Sequence, residues 1–306
     1  MSESEDYSSV TKFVKKYEII IFYLIAVFIT WTGWFMIDSI LMPLVDSGAN
    51  FEQLIFEKGQ YYIIVVSFLG SISVFGPGIA AFIVIAVTDG RLGIKVFLKK
   101  IFNWRVSYIW YGIALLLPVL IKYGSFLFND IFLGGSLLID LDKLLTFVFV
   151  SVFFENLIPS GGQEEVGWTG FAQMRLQERY TVIQSTFIKV FMGWIWHLPL
   201  YLIFPWVGQY GGDIWLFLWY YIPIGFIYSW LFNNTDSILI PALLHASFNT
   251  VGIHVITSFT SNNTVVLTII IMGLVMYFIV FLLFLKYGKN LTHKSLPSLL
   301  PRECSS

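Results

Sequence analysis

Long apolar stretches separated by short polar joints set the plan of this chain. A helix needs about 20 apolar residues to cross a bilayer core, and eight stretches qualify or nearly so: 17–42, 61–87, 107–127, 144–159, 186–204, 214–232, 238–258 and 265–287. The fourth is short alone and continues towards a pair of adjacent glutamates. Pro77, flanked by Gly76 and Gly78, interrupts the second and predicts a kink or an early break. Gly161-Gly162 and the segment 163–179 predict a further helix, sunk partly into the membrane or bent onto its face. The expected fold class is therefore all-α, a polytopic membrane bundle of about eight transmembrane helices.

Composition agrees with that class. Hydrophobic residues make up 57% of the 306, charged residues 12%, and mean hydropathy is +0.78. Soluble domains average about a quarter charged, so lipid is the main solvent here and the chief partner. A net charge of −1 without a basic tract points away from nucleic acid. The one cysteine, Cys304, excludes an internal disulfide framework, and its place third from the end lacks the spacing of a prenylation signal. The polar first nine residues, followed by a long apolar run, predict no cleavable signal peptide.

Charge placement orients the bundle. With eight spans and both termini on the cytoplasmic side, every Lys and Arg except Lys58, Lys122 and Lys143 falls inside, as the positive-inside rule requires. The expected location is the membrane, multi-pass, and the plasma membrane if the source is bacterial. No inverted repeat of the transporter kind is evident. The expected division is a tail at 1–16, N-terminal spans at 17–142, a core of further spans at 143–258, and the last span with its tail at 259–306. The sequence sets no oligomeric state.

Against this apolar background a few polar residues stand out, because an ionisable side chain in hydrocarbon costs a few kcal/mol or more and marks a functional site by default. They are Glu164 and Glu165 after the fourth span, His197 within the fifth, and His245 with Asn249 in the seventh. His245 and Asn249, four apart, share a helix face. Glu164 and Glu165 diverge by about 100° on a helix, so one is expected to work and the other to orient it. Pro199 loosens the backbone beside His197. A carboxylate and a histidine can activate a water, and a histidine with an amide can stabilise an oxyanion, which together make hydrolysis. Glu164, His197 and His245 could equally form a zinc shell with an open position. Each feature alone has a plainer reading: polar glue between helices for the histidines and Asn249, a solvated first helical turn for the glutamates. His254 near a span end, His293 in a polar tail and the Asn262-Asn263-Thr264 glycosylation triplet read as incidental, and most tryptophans read as belt and packing residues, Trp168 and Trp196 excepted.

Gln163-Glu164-Glu165-Val166-Gly167-Trp168-Thr169 resembles the first motif of the CAAX prenyl protease and bacteriocin-processing family, which reads Glu-Glu, three residues, Arg. Trp196-His197-Leu198-Pro199 resembles its second motif, and 237–249 its third, with His245 and Asn249 at the family spacing. Phe75-Gly76-Pro77 and Asp89-Gly90-Arg91 are similar to the second-span region of bacterial members. The resemblance implies an eight-span intramembrane endopeptidase whose substrate is a peptide or lipidated peptide. Glu164 would activate water with His197 as partner, His245 and Asn249 would hold the oxyanion, and Glu165 would support the site. It favours metal-free chemistry and no cofactor over zinc. The other classes are a non-catalytic family member acting in bacteriocin immunity or as a scaffold, and a small transporter. Two positions depart from the pattern. Thr169 stands where the motif has arginine, and Gly193 where an aromatic often precedes the histidine. Arg175 lies about 16 Å along a helix from Glu164, too far to substitute, so the glutamate pair is expected to carry an uncompensated charge or a protonated carboxyl.

Overall fold

The computed structural model describes residues 9–46, 60–134, 137–139, 147–203, 213–254, 256–259 and 262–299. Lys58, Lys143, Arg302 and Cys304 lie outside them. In chain order the elements are α1 (Ser9–Asp46), α2 (Gln60–Val74), α3 (Gly76–Thr88), α4 (Gly90–Ile101), α5 (Tyr108–Leu133), β1 (Leu137–Ile139), α6 (Phe147–Leu157) and α7 (Gly161–Glu165). A π-helical stretch (Val166–Gln173) follows, then α8 (Met174–Gln177), α9 (Val182–Trp196), α10 (Leu198–Ile203), α11 (Ile214–Thr235), α12 (Leu239–His254), β2 (Ile256–Phe259) and α13 (Asn262–Tyr287). The fold is all-α apart from one short antiparallel ribbon of β1 and β2.

Each expected span overlaps a helix among the described residues, the seventh running past its helix into β2. Five helices among the described residues are long and apolar enough to cross a membrane, and α2 with α3 makes a sixth as a pair bent by 51°. The fourth and seventh spans correspond to α6 and α12, which are shorter apolar helices. Large apolar side chains such as Phe28, Leu120, Phe132 and Leu285 face outwards, the arrangement of an integral, multi-pass membrane protein with lipid around it.

Pro77 causes the predicted break. Without an N–H it cannot satisfy Ser73 O, the carbonyl four residues earlier, and the Thr30 hydroxyl of α1 donates to that oxygen instead at 2.6 Å. Gln163 reaches the same break and donates its amide to Val74 O. The segment 163–179 is not laid on a membrane face but buried in the bundle almost throughout.

Two side-chain clusters hold the halves together. Phe22, Phe97, Trp168, Phe171 and Trp196 centre one, joining α1, α4, the π-helical stretch and α9. The other joins α5, α11, α12 and α13 through Ile121, Ile227, Leu244, Met276 and their neighbours. Beside the first, Arg175 is fully buried and bonds Asp89, with Glu18 at 3.4 Å and Glu178 at 3.3 Å; Arg179 adds a 2.7 Å contact to Glu18. This ionic cluster ties α1, the α3–α4 junction and α8 to one another.

Candidate active site

The polar residues converge where α7 and the π-helical stretch pass α12. Close backbone approach makes this possible. Any Cβ on Gly167 would lie 2.4 Å from Pro77 Cβ and 2.6 Å from Pro77 O, so only glycine lets the stretch lie against the broken second span. With Gln163 bonded to that break, the next two residues are fixed in the interior: Glu164 is 6% exposed and Glu165 3%. A π-helical turn is rare and often accompanies functional sites; here it begins directly after the glutamates.

The two carboxylates have different surroundings, as their divergence on a helix predicts. Glu165 Oε1 meets His245 Nδ1 at 2.9 Å, and its other oxygen accepts from the Thr169 hydroxyl. Glu164 Oε2 is buried without a hydrogen-bond partner among the described residues. Its charge is nevertheless within electrostatic reach of His245. The direct bond to a histidine belongs to Glu165, the carboxylate expected to support the site, and Glu164 is the one left without a bond among the described residues.

His245 and Asn249 point the same way, towards Gly161. A Cβ on Gly161 would sit 2.5 Å from His245 Nε2 and 2.5 Å from Asn249 Nδ2. The glycine thus lets both nitrogens come up against the α7 backbone. Tyr228 of α11 stacks on His245, ring centroids 5.7 Å apart at 28°, and fixes the imidazole plane.

His197 sits at the junction of α9 and α10, where α1 helps hold the chain: Trp31 Nε1 donates to Trp196 O at 3.0 Å. His197 Nδ1 lies 2.7 Å from Gly193 O. A carbonyl can only accept, so Nδ1 carries the hydrogen and Nε2 keeps its lone pair. Trp196, Phe217 and Tyr221 enclose the ring.

Both departures from the motif pattern are met from α9 and α11. A Cβ on Gly193 would lie 2.4 Å from Tyr221 Oη, so Tyr221 fills the ground an aromatic at 193 would need. Thr169 replaces the expected cation with a hydroxyl on Glu165. Arg175, engaged with Asp89 and Glu18, takes no part. Among the described residues His245 is the one ion-pair partner of either glutamate, but the Lys189 charge reaches Glu165. Lys189 is buried in α9, its Nζ 3.4 Å from Ser229 Oγ and 5.9 Å from the Tyr228 ring centroid. It had been counted with the cytoplasmic-side charges; it belongs to the interior. Lys122, counted on the outer side, is likewise buried within α5.

Among the described residues no three His, Cys, Asp or Glu side chains are grouped to hold a metal.

Residues 142–251 match the model for type II CAAX prenyl endopeptidases, Rce1-like. That stretch, about a third of the chain, is similar to the Rce1-like family. It runs from α6 into α12 and contains all five residues that the motifs singled out. The chain is also similar to CAAX prenyl protease 2 of Methanococcus maripaludis, 26% identical over 193 residues that cover 56% of this chain and 67% of the relative. Tyr221, Tyr228, Lys189 and Gly161 were missed by sequence reasoning. Only Lys189 gave a signal, as a charge inside a predicted span. The others look like any tyrosine or glycine until the helices are packed.

Proposed function

We propose that this protein is a CAAX-type intramembrane endopeptidase that hydrolyses a peptide bond near the membrane surface with a glutamate-activated water. The observation that carries this reading is the pair of nitrogens, His245 Nε2 and Asn249 Nδ2, facing one point beside Gly161 while Glu165 holds the far side of His245. The catalytic core is 143–258, both termini are cytoplasmic, and no cofactor is required.

The chemistry follows from which atoms are engaged. Glu164 Oε2 and His197 Nε2 are both acceptors, so a water between them donates a hydrogen to each and turns a lone pair to the scissile carbonyl. As the C–O bond forms, the water proton passes to Glu164. His245, paired with the Glu165 carboxylate through Nδ1–H, presents Nε2–H, and Asn249 presents an amide N–H; together they receive the oxyanion. Thr169 donates to the second oxygen of Glu165 and holds that carboxylate in place against His245. Collapse of the tetrahedral intermediate breaks the C–N bond, and Glu164 returns the proton to the leaving amine. The substrate is a peptide or lipidated peptide, because a site buried among apolar helices admits chains already at the membrane.

The test uses purified full-length protein in lipid nanodiscs with a quenched farnesylated peptide. Cleavage is expected, with loss in both Glu164→Ala and His245→Ala and no change on chelation. Full activity in both variants ends the proteolytic reading. Loss on chelation, restored by zinc, ends the metal-free mechanism.

A further inference from the structure

α4 has two faces of opposite character. Gly93, Phe97 and Lys100 are its buried residues. Phe97 belongs to the cluster that holds Trp168 and Phe171 of the π-helical stretch, Lys100 bonds Asp236, and Lys100 O accepts from Ile238 N at 3.0 Å. The opposite face looks out of the bundle. It carries Arg91, Lys95 and Lys99, all exposed, and a spacing of four sets them in one row along the helix.

Between α4 and Ala86 of α3 lies a cavity of about 700 Å³, a size usual for a small-molecule site. Ile94, Leu98 and Phe102 give it an apolar wall, and all three cations of the row line it as well. Among the described residues no acidic side chain lines it, and Lys100 is the one member of α4 in an ion pair. Asp89, at the α3–α4 junction, is engaged by Arg175 and Thr88. Leu92, Phe102 and Trp104 are 59%, 70% and 64% exposed. A helix that shows bare apolar side chains and cations together suits a membrane surface, where stems and rings enter the acyl region and charges stay at the headgroups.

We propose that this groove holds one anionic phospholipid, its phosphate on the row of Arg91, Lys95 and Lys99 and an acyl chain along Ile94, Leu98 and Phe102. Successive cations stand about 6 Å apart along the axis, so two long side chains can share one phosphate. Cations beside an apolar channel match a ligand that carries an anion and a chain in one molecule. A free phosphate has nothing to place in the channel, and a zwitterionic lipid leaves the charge of the row unmatched. The positive-inside pattern puts α4 at the cytoplasmic leaflet, where acidic headgroups attract such clusters. The lipid site lies apart from the proteolytic centre and does not depend on it: α4 meets lipid with one face and the π-helical stretch with the other.

Native mass spectrometry of the purified full-length protein tests this, with titration by palmitoyl-oleoyl phosphatidylglycerol or by the phosphatidylcholine of the same chains. One phosphatidylglycerol is expected to bind with a Kd about tenfold or more below that of phosphatidylcholine, and millimolar inorganic phosphate should not displace it. Combining Arg91→Gln, Lys95→Gln and Lys99→Gln should bring the two Kd values within about twofold of each other. Ala86→Trp, which fills the channel and keeps every cation, should weaken phosphatidylglycerol by about tenfold. Lys286→Gln with Lys289→Gln removes two exposed cations elsewhere and should leave the preference intact. Equal Kd values in the wild type, or displacement by phosphate, overturn the assignment. So does a triple variant that keeps the preference, an Ala86→Trp protein that binds as before, or a loss in the Lys286 and Lys289 variant as large as in the triple one. The wild-type comparison needs no variant, so a folding defect in any of them does not blunt the test.

Discussion

Two buried charge clusters lie a few helical turns apart, and they are built to opposite ends. Around Arg175, acids from α1, the α3–α4 junction and α8 close on a guanidinium with no exposure at all. Around Glu165, a carboxylate is met by one histidine and one hydroxyl, with Lys189 at a distance and Glu164 Oε2 unpartnered among the described residues. The first arrangement uses its charges on one another and fastens three elements. The second leaves Glu164 Oε2 unpartnered among the described residues and brings two nitrogens up against Gly161. Buried ion pairs add little net stability but are costly to break. A bolt and a reactive site can thus share a composition and differ only in what is left unpaired.

Substitutions should separate the two. The largest effect is expected for Glu164→Gln, which removes the proposed base while keeping its volume: kcat should fall by about 10²–10⁴-fold with the melting temperature unchanged or raised. Arg175→Met should do the reverse. It leaves Glu18 and Asp89 buried without their cation, at a cost of about 3–5 kcal/mol, read as a lower melting temperature or failure to accumulate in the membrane. A Glu164→Gln protein that unfolds, or an Arg175→Met protein of normal stability, would erase the distinction.

Gly161→Ala comes next. The methyl would occupy the point facing His245 and Asn249, so kcat should drop about 10²-fold, the loss seen when one oxyanion donor is removed. Gly112→Ala on α5, where an added methyl meets nothing within 4 Å, serves as the control and should be silent. The smallest effect is expected for Thr169→Val. It deletes one hydrogen bond to a charged group, worth about 1.5–3 kcal/mol, and should lower kcat by about tenfold or somewhat more. Combined with Lys189→Met, the loss should exceed the product of the two single losses if both groups support Glu165; strict additivity would assign Lys189 to packing alone.

The residues that sequence reasoning found and those it missed differ in kind. Glu164, His197, His245 and Asn249 stood out because each is costly in an apolar helix, and the break at Pro77 was legible because proline lacks a donor. Lys122 and Lys189 were visible too but were assigned to opposite sides of the membrane, since a lysine near a predicted span end reads as an anchor. Tyr221 gave no signal at all. Its importance comes from standing where Gly193 leaves room, a relation between α9 and α11 that has no trace in either segment alone.

Periodicity, apolar length and the rarity of charge therefore determined, from sequence alone, that this is an all-α membrane protein, where its helices lie and which residues are expensive enough to matter. Those are local properties, fixed by the cost of exposing backbone or burying charge. Which carboxylate bonds which histidine, what stands in for the cation absent at Thr169, and that Lys122 and Lys189 are buried were decided only by the tertiary structure. Each depends on the approach of helices distant in sequence, and small residues such as Gly161, Gly167 and Gly193 decide how near those helices come.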